Sequence, residues 1–249
     1  MKVPKYYRIK EEILALISDL PPGSVLPTER ELAVRYGTSR TTIRQAIAEL
    51  VVEGRLMRTQ GSGTFVAQPK MMRVRPLNSF SQDLAADGWL SGSVVLGISG
   101  VAADAELAKH LGVQPGAEVQ RVERIRTVGG EPIAHEIAYL PRTLPGLAEQ
   151  LAEHGSLYRT LREEYGAVVT TVEDIVETAL ADPVTANLLG VETGLPLLLA
   201  RRTAWDADAN LVEWTESRFR GDRFRYMSRQ QLDWSGPGGN AAQPVEKAS

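Results

Sequence analysis

At 249 residues, with 43% hydrophobic and 24% charged side chains, the chain is long enough for two domains that each bury a core, and its net charge of −3 taken alone argues against nucleic-acid binding. It has no cysteine and only three histidines, His110, His135 and His154, which excludes disulfides and thiolate metal sites and argues against a histidine-rich metal centre; no metal or other cofactor is expected. The N-terminal Met-Lys-Val-Pro-Lys-Tyr-Tyr lacks the apolar core of a signal peptide and no run approaches a membrane span, so a cytoplasmic protein without a membrane partner is expected.

The charge is unevenly spread. Residues 1–75 hold 13 Lys/Arg against 7 Asp/Glu, net +6, and the remainder is net −9. A basic head on an acidic body lets the head find phosphates while the body stays off them.

In chain order, Tyr7 to Asp19 reads as a helix with Ile9, Ile13, Leu14, Leu16 and Ile17 in its buried stripe, ended by Leu20-Pro-Pro-Gly-Ser. Thr28-Glu-Arg-Glu-Leu-Ala-Val-Arg-Tyr36 opens on a capping Thr with Glu29 and Glu31 in its first turn, buries Leu32, Ala33 and Tyr36, and stops at Gly37. The next helix opens over Thr38 to Gln45, capped by Thr38 or Ser39, and its apolar residues Ile43, Ala46, Ile47 and Leu50 have the spacing of one buried face. The opposite face carries Arg40, Thr41, Arg44 and Gln45.

Two helices joined through Gly37-Thr38-Ser39 read as a helix-turn-helix whose second helix enters the major groove of DNA, although a helical hairpin with merely solvated arginines has the same periodicity. The residues that follow favour DNA. Leu56 to Gln60 and Gly63 to Val66 read as two short strands around Gly61-Ser62-Gly63, and three helices followed by a β-hairpin make a winged helix.

The stretches Leu-Pro-Thr-Glu-Arg-Glu-Leu-Ala, Ser-Arg-Thr-Thr-Ile-Arg-Gln-Ala, Leu-Val-Val-Glu-Gly and Gly-Ser-Gly-Thr-Phe-Val, covering most of residues 5–68, resemble the GntR family of bacterial transcription regulators. The resemblance implies base or phosphate contacts from Arg30, Ser39, Arg40, Thr42, Arg44 and Gly61; Thr41 and Gln45 on the same helix face and Gly63 in the wing complete the candidate DNA surface. Many relatives carry Lys or Arg where this chain has Ser62, which lowers the expected electrostatic share of the wing.

The expected division is a winged helix over 1–68, a linker over 69–76 with Lys70, Arg73 and Arg75, an effector domain over 77–234, and a disordered Gly- and Pro-rich tail over 235–249. Within the effector domain, Ser79 to Asp87, Ala105 to Leu111, Ser156 to Tyr165 and the segment from Asp182 to Leu189 read as helices. Ser93 to Val101, Glu118 to Val128, Pro132 to Leu140, Val168 to Leu180, Leu195 to Trp205 and Leu211 to Phe219 read as strands, with Phe224 to Leu232 as a last one. The expectation is an α+β fold, a mostly antiparallel sheet with helices on one side.

Arg121-Val-Glu-Arg-Ile-Arg126 alternates, so Arg124 and Arg126 share one face, with Val122 and Ile125 expected off it. Two guanidiniums side by side suit a phosphate held by paired donors; the competing reading is that they meet carboxylates on neighbouring strands, such as Glu136 or Glu213. Ser156-Leu-Tyr158 and Ser79-Phe-Ser81 open helices, where anions can sit, though each serine serves equally as a plain cap.

Ser79-Phe-Ser-Gln-Asp-Leu, Arg121 to Arg126, Glu131-Pro-Ile-Ala-His-Glu, Gly155-Ser-Leu-Tyr, Val212-Glu-Trp and Arg220-Gly-Asp-Arg-Phe resemble the UTRA effector-binding domain of the HutC subfamily, closest in type to amino-sugar repressors of the NagR/DasR kind, whose fold is chorismate-lyase-like. The resemblance implies a phosphate held by Arg124, Arg126, Ser156 and Tyr158, closed over by Phe80 and Ser81 beside Ser79, with Glu136 and Glu213 on sugar hydroxyls or an amine. Phe219 and Phe224 stand where those relatives have Tyr, which leaves the exact sugar open. An enzyme is disfavoured because His135 and Glu136, adjacent in a strand, point to opposite faces. The expected protein is a homodimeric regulator, most simply a repressor, binding a palindromic double-stranded DNA operator under control of a small anionic metabolite; a carboxylate such as urocanate is the alternative to a sugar phosphate.

Overall fold

The computed structural model describes residues 4–59, 62–68, 72–74 and 91–226. In the head, helices α1 (Lys5–Ile17), α2 (Glu29–Arg35) and α3 (Arg40–Val52) turn their apolar faces toward one another. Ile13, Leu32, Ile43, Ile47 and Leu50 are at most 1% exposed. Burying each such side chain contributes about 2 kcal/mol. The wing strands β1 (Leu56–Thr59) and β2 (Gly63–Val66) pair antiparallel and close this core with Leu56 and Val66.

One buried residue breaks the apolar pattern. Lys10 on α1 places Nζ 3.1 Å from Glu49 and 2.5 Å from Glu53, one turn apart on α3. The hydrogen bond to Glu53, seconded by Glu49, holds the ammonium above the usual lysine range in spite of desolvation. The pair of carboxylates thereby pins α1 across α3.

Local chemistry places the ends of α2 and α3. The Thr28 hydroxyl accepts from the Glu31 backbone N–H at 3.3 Å while the Glu31 carboxylate accepts from the Thr28 N–H at 2.8 Å, a complete capping box. After α2, Gly37 adopts φ 57°, and the Thr38 N–H donates to the Ala33 carbonyl at 3.0 Å, closing the helix as the sequence implied. Of the two candidate caps for α3, Ser39 is the one used, accepting from the Thr42 N–H at 3.1 Å.

The second domain runs β4 (Ser91–Ala102), α4 (Ala105–Leu111), β5 (Glu118–Val128), β6 (Glu131–Leu140), α5 (Leu147–His154), α6 (Leu157–Tyr165), β7 (Thr171–Leu180), α7 (Pro183–Leu189), β8 (Pro196–Trp205) and β9 (Leu211–Arg220). Its six strands form one antiparallel sheet in the order β4-β5-β6-β9-β8-β7, two three-stranded meanders joined where β9 pairs with β6. The hairpins at Gly129-Gly130 and at residues 206–210 are those expected.

Several elements differ from expectation. Helix α5 was not foreseen, because it starts from Gly146 at φ 74° with no side-chain cap. The helices do not lie on one side. Leu147 and Leu151 of α5 and Leu157 and Leu161 of α6 pack on Val122 and Ala138, whereas Ala108 and Leu111 of α4 pack with Tyr139 and Trp214, which alternation sends to the opposite face. The final strand β10 (Phe224–Tyr226) stays out of the main sheet and pairs parallel with β3 (Met72–Val74). The helix expected over 79–87 and the tail over 235–249 lie outside the described residues.

Arg223 ties the second domain to the head. Its Nε donates to Glu131 at 3.0 Å, Nη1 to the Gln68 carbonyl at 3.4 Å, and Nη2 lies 3.1 Å from the Met57 sulfur on β1.

Replacing Thr28 with Ala removes one half of the capping box. It should lower the stability of the head by about 1 kcal/mol, measured by urea unfolding of the full chain followed by helical circular dichroism.

Candidate functional site

The head presents a polar surface at the start of α3. Arg40, Thr41, Arg44 and Gln45 are exposed, as is Arg30 on α2. Ser39 and Thr42 are engaged with each other, Oγ to Oγ1 at 2.8 Å, so they shape the helix start and leave the longer side chains to reach outward. Gly63 is exposed at φ 124°, a conformation that favours glycine at the wing's tip; Gly61 lies outside the described residues. Arg44 is not merely solvated. Its Nε and Nη2 meet both oxygens of Glu29 on α2 at 2.8–3.3 Å, and Arg58 on β1 reaches the same carboxylate at 3.3 Å.

The second candidate site forms on the sheet face covered by α5 and α6. Register puts Arg124 opposite Glu136, Glu136 opposite Ser217, and Arg126 opposite Ala134, so these side chains share a face. Val122 shares it too, correcting the expectation that it would not: residues two apart in a strand point the same way, and Val122 packs with Ala138 under the helices.

Arg124 and Arg126 are each 3% exposed. Arg124 donates Nη2 to Glu136, so the reading that a neighbouring carboxylate would meet it holds for this arginine. Its Nε and Nη1, both buried, have no hydrogen-bond partner among the described residues. Burial pushes the Arg126 guanidinium down to about 10, with Glu136 countering and the like charge of Arg124 adding to the fall. Burial alone would raise Glu136, but Arg124 and Arg126 override it and hold the carboxyl below the usual range. Glu213 goes the other way, raised by burial and by the nearby charge of Glu136. Tyr158 reaches in from α6 with a buried hydroxyl beside Glu213 and Arg202, and burial pushes its phenol well up.

Arg202 on β8 and Asp174 on β7 extend this face. Arg202 donates to Asp174 at 2.7 and 2.8 Å, and Ser217 stands 3.5 Å from Glu136. Three guanidiniums thus confront three carboxyl groups, Glu136, Asp174 and Glu213, the last raised above the usual carboxylate range by burial and by Glu136. Sequence reasoning missed Arg202, Asp174 and Ser217. The signal was the doublet Arg201-Arg202, whose members alternation sends to opposite faces: Arg201 goes instead to Glu216 at 3.1 Å and to Glu177.

The other expected residues are placed as follows. Ser156 caps α6, accepting from the Arg159 N–H at 3.5 Å. Phe219 and Phe224 stack on each other with ring centroids 4.0 Å apart and belong to an apolar cluster with Val128, Ile133 and Ala134. Ser79, Phe80 and Ser81 lie outside the described residues. His135 points away from Glu136 and meets Glu123 at 2.7 Å on the other face, which separates the two groups an acid/base dyad would need together. Among the described residues no group of three His, Asp or Glu could hold a metal ion, and no helix is long and apolar enough to cross a membrane.

The opposed shifts of the two buried glutamates give opposite pH behaviour. Glu136, held low, stabilises the fold above the ordinary carboxylate value of 4.5, and that stability is lost as pH falls through its lowered folded value. Glu213, held high, favours the fold below 4.5, and that contribution is lost as pH rises through its raised value. In thermal unfolding at pH 7, Glu136→Gln should therefore destabilise the domain, by about 3 kcal/mol for a broken buried pair, while Glu213→Gln should stabilise it, with the gain fading toward pH 4.

With this geometry in hand, the chain can be compared with known proteins. Residues 5–66 match the bacterial regulatory proteins of the gntR family and residues 88–225 match the UTRA domain. It is 33% identical over 228 residues to the HTH-type transcriptional repressor NagR of Bacillus subtilis, covering 90% of this chain and 94% of that protein. It is 34% identical over 206 residues to the histidine utilization repressor of Pseudomonas putida, covering 81% and 82%. The crystal structure of PhnF from Mycobacterium smegmatis superposes with a TM-score of 0.63 at 33% identity, over 90% of this chain and all of that one, 100%. A gntR-type winged helix joined to a UTRA domain, over nearly the whole length of such relatives, places this chain in the GntR family, HutC subfamily, as a DNA-binding transcriptional repressor.

Proposed function

We propose that the chain acts as a homodimer on a pseudo-palindromic operator, and that a small anionic metabolite, best a phosphorylated amino sugar, binds the Arg124 face and controls that action. The division into a winged helix over 1–68, a connecting segment over 69–76 and an effector domain over 77–234 serves this reading, and a regulator bound to bacterial DNA works in the cytoplasm. The observation that carries the effector is Arg124, 3% exposed with Nε and Nη1 lacking a protein partner. A buried guanidinium with unused donors is costly unless an anion supplies the acceptors, and phosphate oxygens match its planar fork.

Arg126 adds charge to the seat, Tyr158 and Ser156 border it from α6, and Glu136 and Glu213 offer acceptors to hydroxyls or an amine. Ser79, Phe80 and Ser81 would close the seat, as the family resemblance implies. The resemblance to NagR-type repressors implies an amino sugar, whereas another relative is by name a histidine utilization repressor. A carboxylate such as urocanate is a second reading, favoured by the Phe219–Phe224 stack, which presents no hydroxyl to a polyhydroxylated ligand.

On the DNA side, Arg40, Thr41, Arg44 and Gln45 would touch base edges in the major groove, with Arg30, Ser39, Thr42, Gly61 and Gly63 close to phosphates. A single winged helix buries too little surface to select a site, and two related by a two-fold axis match two half-sites. An effector shifts the balance only by binding one arrangement of the two heads better than the other.

Thermal-shift measurements separate the ligand readings. Glucosamine 6-phosphate should raise the melting temperature of the full chain, by an amount equivalent to about 2.7 kcal/mol at a hundredfold excess over Kd, and Arg124→Ala should abolish the rise. A response to urocanate alone selects the second reading, and no response to either class refutes the proposal. For DNA, the double replacement Arg40→Ala with Arg44→Ala should abolish retention of a duplex enriched by the protein from a random pool, while circular dichroism stays unchanged; retained selective binding would remove α3 from the recognition role.

A further inference from the structure

Glu29 sits at the first position of α2, where a carboxylate is favoured by the helix's free N–H groups, but its side chain turns to α3 and the wing. It meets Arg44 along the Nε–Nη2 edge, with Nε at 3.1 and 3.3 Å and Nη2 at 2.8 Å from its oxygens, and Arg58 Nη2 at 3.3 Å. The Glu29 side chain is 20% exposed and that of Arg44 60%. A guanidinium has two edges able to form paired hydrogen bonds. Glu29 occupies the Nε–Nη2 edge of a side chain that is 60% exposed, which leaves the end-on Nη1–Nη2 edge for a partner. That edge, with two parallel N–H donors, can match O6 and N7 of guanine in a major groove.

We infer that Glu29 is a positioning residue for DNA reading: it fixes the orientation of Arg44 on the recognition helix and ties it to Arg58 on the wing, so that both arms are set before a duplex arrives. The inference rests on the reading of α3 as the recognition helix. Arg44, then Arg58 and Arg40, hold Glu29 below the ordinary carboxylate range, so it stays charged and available to both arms. Fixing the rotamer in advance removes part of the ordering entropy that a long arginine loses on binding. Arg58 has a further neighbour in Glu192, which follows α7 in the second domain, at 4.0 Å. That partner is 74% exposed, so the contact is a weak competitor for Arg58.

The test compares a duplex enriched by the wild-type chain from a random-sequence pool with a shuffled duplex of the same composition, using fluorescence anisotropy on the full chain. Glu29→Gln should weaken binding to the enriched duplex about tenfold, within the range of one base-reading pair, while binding to the shuffled duplex holds level or tightens because a negative charge near phosphates is gone. In an Arg44→Ala background the same replacement should cause no further loss of discrimination. Unchanged discrimination, equal tightening on both duplexes, or additive losses in the double variant would each overturn the positioning role. Should the neutral variant melt early, Glu29→Asp keeps the charge at the start of α2 but shortens its reach, and carries the same expectation. Arg44→Ala alone separates the two levels: if it abolishes discrimination while Glu29→Gln does not, only the positioning role fails, and if it too preserves discrimination, the recognition-helix reading itself falls.

Discussion

Arg124 and Arg126 lie two residues apart on β5, buried to the same degree and carrying like charges, and a sheet face can hold such a pair only if negative charge is brought to it. The neighbouring strands are arranged to do so. Glu136 comes from β6 in direct register with Arg124, Glu213 from β9, and Asp174 from β7 is matched to Arg202 of β8. Burial raises Glu213, whereas Arg124 and Arg126 hold Glu136 low in spite of the same burial. A face of this kind is poor at stabilising its own fold, since desolvation offsets much of the attraction within each pair. It is well suited to receive an anion, and the domain's strand order is what gathers its pieces.

The head uses charge differently. Lys10 sits inside, clamped by Glu49 and Glu53, and acts as a rivet between α1 and α3 that spends two of its three donors within the chain. Arg44 sits outside, held along one edge only. The contrast follows from burial. A largely buried ammonium must be matched by charge within the chain, whereas an arginine at the rim can divide its donors between a protein carboxylate and a partner. Arg223, in contact with Glu131, the Gln68 carbonyl and Met57, is the corresponding fastening between the two domains.

The head was legible in the sequence because its signals are local. Thr28, Glu31, Gly37 and Ser39 announce helix ends through chemistry confined to four or five residues, and Ile43, Ala46, Ile47 and Leu50 announce a buried face by spacing alone. The Glu29–Arg44 contact was not legible, because it depends on how α2 packs against α3. In the second domain, Gly129-Gly130 marked a hairpin and alternation marked Arg124, Arg126 and Glu136 as candidates. Helix α5 escaped for want of a capping side chain at Gly146. Arg202, Asp174 and Ser217 escaped because placing them beside Arg124 requires knowing that β9 lies between β6 and β8, a long-range pairing with no local mark. The covering of both sheet faces was missed for the same reason: whether α4 lies over Ala138 or under Tyr139 is settled by tertiary packing.

The position of β9 has a consequence for the order in which the protein comes into being. Chains emerge from the ribosome N-terminus first, and domains fold as they are released. The apolar core of the winged helix is complete once Val66 has emerged, but β4-β5-β6 and the β7-β8 pair have no common edge until Leu211–Arg220 joins them. Over that interval of synthesis the polypeptide owns a finished DNA-binding head and half of a body.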